Sequence, residues 1–322
     1  MQSPTRTRSL LSERPTRIPG PGPEQRRKEA DIYPSRFRYE APRSIEEAYS
    51  LLTEGGGDAK ILAGGQSLVP MIKLRFASPE MLVDINGLPG LDYLRRGDDG
   101  TLHVGALCRH GALERSSLLA THQPTMAAAA PLVADPIVRN RGTLVGSLCH
   151  ADPQGDWASV MASLDGSVVA QGPKGRRRIP VKELVRGPFQ TVLAVDEIVV
   201  EAMVPTPQGV PAGGYLKLER RVGDFATVGV AVSIDRSGSK VARAGIALTG
   251  VGGSTISADD AARVLVGGSL SAEVIGEAAE LAAQAADPST DHRGSASFKR
   301  QVVRVFTSRI LTRLLGSEEE AA

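Results

Sequence analysis

Cysteine is nearly absent from this chain: Cys108 and Cys149 are the only two among 322 residues. Two thiols cannot build a disulfide framework and are too few to hold an iron–sulfur cluster. Histidine is sparse as well. The five present are scattered without metal-site spacing, so the composition points to a metal-free chain. Aromatic residues reach only 4%. No basic stripe interleaved with aromatics occurs, which makes nucleic acid a poor partner. No apolar run approaches the roughly 20 residues needed to cross a bilayer, so no transmembrane segment is expected. Neither sign of charge dominates: 38 Lys and Arg against 36 Asp and Glu leave a formal net charge of +2. These absences lead to the expectation of a cytoplasmic protein.

What is present is ordinary for a globular chain. Apolar residues make up 41% and charged residues 23%. The length suffices for two or three packed layers and a sizeable core. With few aromatics, that core is expected to consist of Val, Leu, Ile and Ala. Residues 1–31 stand apart. They hold Pro4, Pro15, Pro19, Pro21 and Pro23 and seven Lys or Arg, with almost no apolar periodicity. A disordered extension is expected there. An organelle transit peptide is the second reading, and the prolines oppose its amphipathic helix.

Order is expected from about Phe37. Ser44-Ile45-Glu46-Glu47 is a capping box, and its helix ends at Gly55-Gly56-Gly57. A short strand over 60–63, a glycine loop, a turn of helix through Leu68, Met71 and Leu74, and a strand over 81–85 follow. Residues 91–106 carry a hairpin pattern around Gly97-Asp98-Asp99-Gly100. Helical pieces are expected at 110–119, 125–132 and 156–164, with short strands at 167–170, 177–179 and 197–204. Beyond Gly213-Gly214 the pattern changes to three long strands, 214–220, 226–235 and 241–249, an antiparallel meander. Helices follow at 257–266, 271–286 and 295–315. In the last, Phe298, Val302, Val305, Phe306, Ile310 and Leu314 recur at helical spacing. The fold class is therefore α+β.

Two glycine segments carry the chemistry. In Ala63-Gly64-Gly65-Gln66-Ser67, glycines let backbone approach a ligand, and successive amides can form an anion-binding nest with the Ser67 hydroxyl beside it. A following helix would add a positive end. Alone, such a Gly-Gly turn is more often only a turn. The second segment runs from Arg139 to Trp157. There Thr143 and Ser147 offer hydroxyls, and Gly142 and Gly146 offer backbone access. Asp156 is read either as a helix N-cap or as an acceptor for ribose hydroxyls. The neighbours Cys149 and His150 are not read as a nucleophile pair, because adjacent residues of an extended segment face opposite ways. Neither G-x-G-x-x-G nor a G-K-[ST] ending occurs, which excludes the Rossmann fingerprint and the P-loop.

The pairing of AGGQSLVPMIKLR with RNRGTLVGSLCHADPQGDW resembles the FAD-binding medium subunit of the molybdenum hydroxylases, the family of aerobic carbon monoxide dehydrogenase and xanthine dehydrogenase. YLKLERRVGDFATVGVAV, ALTGVG and DHRGSASFKRQVVRV agree with it, so the resemblance covers about residues 36–316. It implies a two-lobed FAD-binding domain of the vanillyl-alcohol-oxidase or PCMH type, with lobes at 32–88 and 89–208. A C-terminal α+β domain at 209–316, with a three-stranded antiparallel sheet and helices, and an acidic tail at 317–322 complete it.

The resemblance also assigns residues. Ala63, Gly64, Gly65, Gln66 and Ser67, with Thr143, Leu144, Val145, Gly146 and Ser147, would hold the FAD pyrophosphate. Asp156 and Val199 match FAD contacts, Lys217 a flavin-proximal lysine, and Tyr215 a tyrosine beside the isoalloxazine. The implied partners are a molybdopterin-binding large subunit and a small subunit with two 2Fe–2S clusters, in a dimer of heterotrimers. Electrons would pass from those clusters through FAD to an external acceptor. The chain itself lacks an evident acid–base pair for substrate chemistry. Two alternatives remain: a self-sufficient flavoprotein of related fold, and a non-redox nucleotide-binding module. Only Val145 favours the latter, since relatives carry glycine there and a β-branched residue resists positive φ.

Overall fold

The structure is a computed structural model that describes residues 34–319. The expected extension 1–31 and the end of the acidic tail lie outside the described residues. Three sheets organise the rest, each with its own buried cluster.

The first sheet has order β1-β3-β2 and is parallel: β1 (Arg38–Glu40) and β2 (Ala59–Leu62) flank β3 (Met81–Asp84). Parallel neighbours need crossovers, and helices α1 (Ile45–Gly55) and α2 (Leu68–Lys73) lie in them. The capping box forms as the sequence predicts. Ser44 Oγ accepts from the Glu47 amide at 3.1 Å, and the Glu47 carboxylate reaches back to the Arg43 amide at 2.7 Å, one residue before the expected partner.

The middle sheet is antiparallel, with order β4-β5-β10-β6-β7. Its strands are β4 (Leu94–Arg96), β5 (Leu102–Gly105), β6 (Ser167–Gly172), β7 (Gly175–Pro180) and β10 (Ile198–Val204). Between β5 and β6 the chain folds into six short helices. These are α3 (His110–Glu114), α4 (Ser117–His122), α5 (Pro124–Ala129), α6 (Pro136–Arg141), α7 (Leu144–His150) and α8 (Asp156–Ser163). A helical turn, α9 (Val181–Leu184), and the small hairpin β8 (Val185–Gly187) with β9 (Gln190–Thr191) follow β7; none of these three has a clear sequence signal.

The C-terminal sheet is an antiparallel meander of β11 (Val210–Leu218), β12 (Val228–Ser237) and β13 (Lys240–Thr249). A two-residue strand, β14 (Ile256–Ser257), makes it four-stranded rather than three-stranded. Helices α10 (Asp259–Arg263), α11 (Ala272–Ala285) and α12 (Ala296–Glu319) cover one face. The alternation in β12 explains how both faces are buried. Val228, Val230, Val232 and Ile234 point into the cluster under these helices, while Gly229, Ala231 and Ser233 face α8. Small residues let a helix backbone sit directly on a sheet. A Cβ on Gly245 would lie 1.9 Å from the Ser163 carbonyl oxygen. Helix α12 is rotated from the expected stripe. Lys299, Val303, Thr307, Ile310 and Leu311 are its buried residues among those described, whereas Phe298 is exposed. No helix among the described residues is long and apolar enough to cross a membrane.

Candidate functional site

The first glycine segment leaves β2 and enters α2. Gly65 has φ +72°, a conformation that disfavours any side chain. Ser67 stands at the N-cap of α2 without bonding back to the helix, so its hydroxyl is not spent on the helix start. The Ala63 carbonyl accepts from Asn86 Nδ2 at 2.8 Å, which fixes where the turn begins.

The second segment is not the extended loop that its composition suggests. Gly142 separates α6 from α7, and Thr143 caps α7, its Oγ1 accepting from the Gly146 amide at 3.0 Å. Leu144, Val145 and Leu148 bury one face of α7, and that burial outweighs the weak helix propensity of the glycine and hydroxyl residues. Val145 therefore needs no positive φ, and its departure from the usual pattern is accommodated by ordinary helix. Cys149 and His150 sit about 100° apart around the same helix. The His150 ring rests against Phe189, and burial pushes the Cys149 thiol up to about 12. The pair is still no nucleophile, for a different geometric reason.

The two segments touch. A Cβ on Gly64 would lie 2.5 Å from the Arg141 carbonyl oxygen and 2.7 Å from Gly142 Cα. Two residues without a sequence signal bracket this contact. Arg109 Nη1 donates to the Arg141 carbonyl at 2.8 Å and Nη2 to Asn86 Oδ1 at 2.6 Å, while Asn86 holds Ala63. The neighbouring His110 amide donates to the Gly142 carbonyl at 2.9 Å. The His110 ring accepts at Nδ1 from Trp157 Nε1 at 3.0 Å, which leaves the proton of the neutral ring on Nε2. Burial, with Arg139 and Arg109 nearby, pushes the His110 pKa down to about 4.

Asp156 opens α8 but is not its N-cap, a place taken by Gly155. Its carboxylate instead accepts from the Tyr215 hydroxyl at 2.7 Å and from Lys217 Nζ at 3.2 Å. The Lys217 side chain is 1% exposed and also donates to the Leu132 carbonyl at 2.9 Å. Burial raises the Asp156 pKa against the pull of Lys217 and Tyr215, and burial and Asp156 together push the Tyr215 hydroxyl well above 10. Asp152, by contrast, only closes a local turn onto the Gln154 amide.

These parts surround one cavity of about 570 Å³, within the range of a small-molecule site. Eleven of the fourteen expected residues line it: Ala63 to Ser67, Thr143, Val145, Gly146, Ser147, Asp156 and Val199. Leu144, Tyr215 and Lys217 do not. Leu144 points into the core, and the other two stand behind Asp156 and bond its carboxylate. Sequence reasoning missed His110, Thr191, residues 193–195 and the turn 223–225, which also line the cavity. The donor set is two helix starts, a positive-φ glycine and hydroxyls, with side-chain-free backbone at Gly64 and Gly146. That chemistry fits a diphosphate, with Asp156 an acceptor for neighbouring hydroxyl or N–H groups.

Comparison with known proteins agrees. Residues 35–207 match the family described as the FAD binding domain in molybdopterin dehydrogenase, and residues 214–314 match the CO dehydrogenase flavoprotein C-terminal domain. The 6-hydroxypseudooxynicotine dehydrogenase complex subunit alpha of Paenarthrobacter nicotinovorans is 40% identical, covering 88% of this chain and 95% of its own. The carbon monoxide dehydrogenase medium chain of Hydrogenophaga pseudoflava is 39% identical, covering 87% and 97%. A solved carbon monoxide dehydrogenase from the same organism superposes with a TM-score of 0.83 at 40% identity, over 87% of this chain and 98% of that one.

Proposed function

The chain belongs to the family of FAD-binding medium subunits of molybdenum hydroxylases, oxidoreductases, and from that premise we propose that it is the electron-transfer subunit of such a complex. In this reading residues 32–88 and 89–208 form two lobes of the vanillyl-alcohol-oxidase type that close on FAD, and residues 209–316 form a separate C-terminal domain. The partners are a molybdopterin-binding large subunit and a small subunit with two 2Fe–2S clusters, arranged as a dimer of heterotrimers in the cytoplasm. When bound, FAD supplies the redox chemistry that passes electrons from those clusters to an external acceptor.

The residues do the rest. The amides and hydroxyls of 63–67 and 143–147 bind the diphosphate, and Gly64 and Gly146 keep the approach open. Asp156 accepts from the bound cofactor, while Tyr215 and Lys217 orient its carboxylate from behind. The single observation that carries the reading is the contact of the two glycine segments at Gly64 and Gly142, beside one cavity. The helical Val145 removes what favoured a non-redox module.

The test is purification of the full-length chain with and without its partner subunits. The expected product is a yellow complex with about one FAD per chain, and no turnover of an organic substrate by this chain alone. A colourless complex would overturn flavin carriage. Turnover by the isolated chain would favour the self-sufficient flavoprotein.

A further inference from the structure

The motif Asp291-His292-Arg293-Gly294 lies far along the chain from both glycine segments, yet its arginine holds a loop that lines the same cavity. Strands β11 and β12 are joined by the loop 219–227, closed at its base by the Thr227 amide donating to the Leu218 carbonyl at 2.8 Å. Gly223, Asp224 and Phe225 of this loop line the cavity. Its base is anchored by the buried Ala226 and Thr227, but its tip carries exposed apolar residues, Val222 at 96% and Phe225 at 49%, so burial does little to fix the tip. Gly223, at φ +87°, lies against the backbone of Ala134 and Asp135, where a Cβ would come within 3.2 Å. The wall of the cavity is thus a seam between two backbone turns.

Each side of the seam is held by a guanidinium. On one side Arg139 Nη1 donates to the Ala134 carbonyl at 2.9 Å, itself paired with Glu114 at 2.9 Å. On the other, Arg293 Nη1 donates to the Phe225 carbonyl at 3.0 Å, and Nη2 stands 3.7 Å from the Asp224 carboxylate. Arg293 is itself fixed in a built turn. Its amide donates to Asp291 Oδ1 at 2.8 Å, and Asp291 Oδ2 pairs with the buried Lys299 at 2.8 Å. Asp291 and Gly294 bridge across the turn at the head of α12.

We infer that Arg293 is a positioning residue for the flavin cleft: it clasps the β11–β12 loop so that Gly223, Asp224 and Phe225 complete the cavity wall. The inference rests on the FAD reading above for its ligand, but the clasp itself is a property of the apo chain. An arginine suits the task, because its planar fork sets two nitrogens in fixed geometry, Nη1 on the carbonyl and Nη2 toward the carboxylate, whereas a lysine would have to serve both from one flexible ammonium.

The test uses the full-length chain and the variants Arg293→Ala and Arg293→Lys. Two readouts are taken. The first is trypsin nicking after Arg220 and Arg221, both exposed in the loop, on the apo protein. The second is the FAD dissociation rate, followed by recovery of flavin fluorescence. Arg293→Ala is expected to speed both by roughly tenfold, the loss of one charge-assisted contact, with Arg293→Lys intermediate. Unchanged nicking would overturn the clasp, whatever FAD does. Faster nicking with an unchanged FAD off-rate would overturn its link to the cleft. Equal acceleration of nicking at sites across the whole chain would mean a general loss of fold, and would also overturn it. If the wild-type chain takes up no FAD, the functional reading fails, while the nicking result still decides the clasp.

Discussion

Replacing Gly64 by alanine tests the central contact. The added methyl carbon would sit 2.5 Å from the Arg141 carbonyl oxygen, where ordinary contact begins at 3.4 Å, so the segments must part by about 0.9 Å. The Arg141–Gly142 side cannot easily yield. Arg109 holds the Arg141 carbonyl, the His110 amide holds the Gly142 carbonyl at 2.9 Å, and the Gly142 amide donates to Val138 at 2.7 Å. The first segment must therefore retreat. Overpacking of this kind costs about 1–3 kcal/mol, a fall in Tm of roughly 2–10 °C for a chain of this size. The effect on the cofactor should be larger. A phosphate contact of about 2.9 Å lengthened by that displacement leaves hydrogen-bonding range, and losing one or two charge-assisted bonds weakens FAD by roughly 10- to 1,000-fold. Titration of apo protein with FAD, followed by flavin fluorescence, measures this. Gly276→Ala is the control: it lies exposed in α11 with nothing within 4 Å of a Cβ, and should raise Tm slightly. Wild-type FAD affinity and Tm in Gly64→Ala would refute the claim that the two segments are locked together.

Four further outcomes are expected. Gly146→Val places its Cβ 2.7 Å from the Thr143 hydroxyl that caps α7 and blocks backbone approach, so FAD should be lost on gel filtration; stoichiometric FAD would refute this. Asp156→Ala strips a buried lysine of one carboxylate and should destabilise the fold by about 2–4 kcal/mol and weaken FAD more than Asp152→Ala does; equal FAD losses in the two variants would contradict the geometry. Arg109→Met and Asn86→Ala act on one bracket, so their double-mutant cycle in FAD affinity should show coupling of about 1 kcal/mol, and strict additivity would count against the bracket. His110 is neutral in the fold, its pKa lowered from 6.5 to about 4, so its contribution is present above pH 6.5 and lost as pH falls through 4; this amounts to about 3 kcal/mol, and denaturant melts should show a shallower acid slope for His110→Gln than for wild type over that window.

How much of this the sequence discloses depends on the range of the interaction. The capping box at Ser44, the hairpin turn at 97–100 and the positive-φ turn at Gly65 are written within a few neighbouring residues, and all three appear where their signals stand. The helix α7 does not. Its glycine and hydroxyl content argues locally for a loop, and only the burial of Leu144, Val145 and Leu148, a tertiary effect, makes it helical. Val145 departs from the glycine of the family pattern, and in a helix that position demands no positive φ.

The same argument applies to Tyr215 and Lys217. Both stand out in the sequence, and the structure places them on Asp156, 59 and 61 residues away in sequence, which itself lines the cavity. Nothing local to YLKLERR indicates whether its lysine meets a ligand or a carboxylate. The register of β11 decides it, because residues two apart share a strand face, and 215 and 217 both face α8. The strand also explains why the C-terminal sheet cannot be treated as an appendage. Its small-residue face seats α8, its first strand neutralises Asp156, and its first loop completes the cavity wall. A substitution that separates this sheet from α8, such as Gly245→Val against the Ser163 carbonyl, should therefore disturb the flavin cleft without touching either glycine segment.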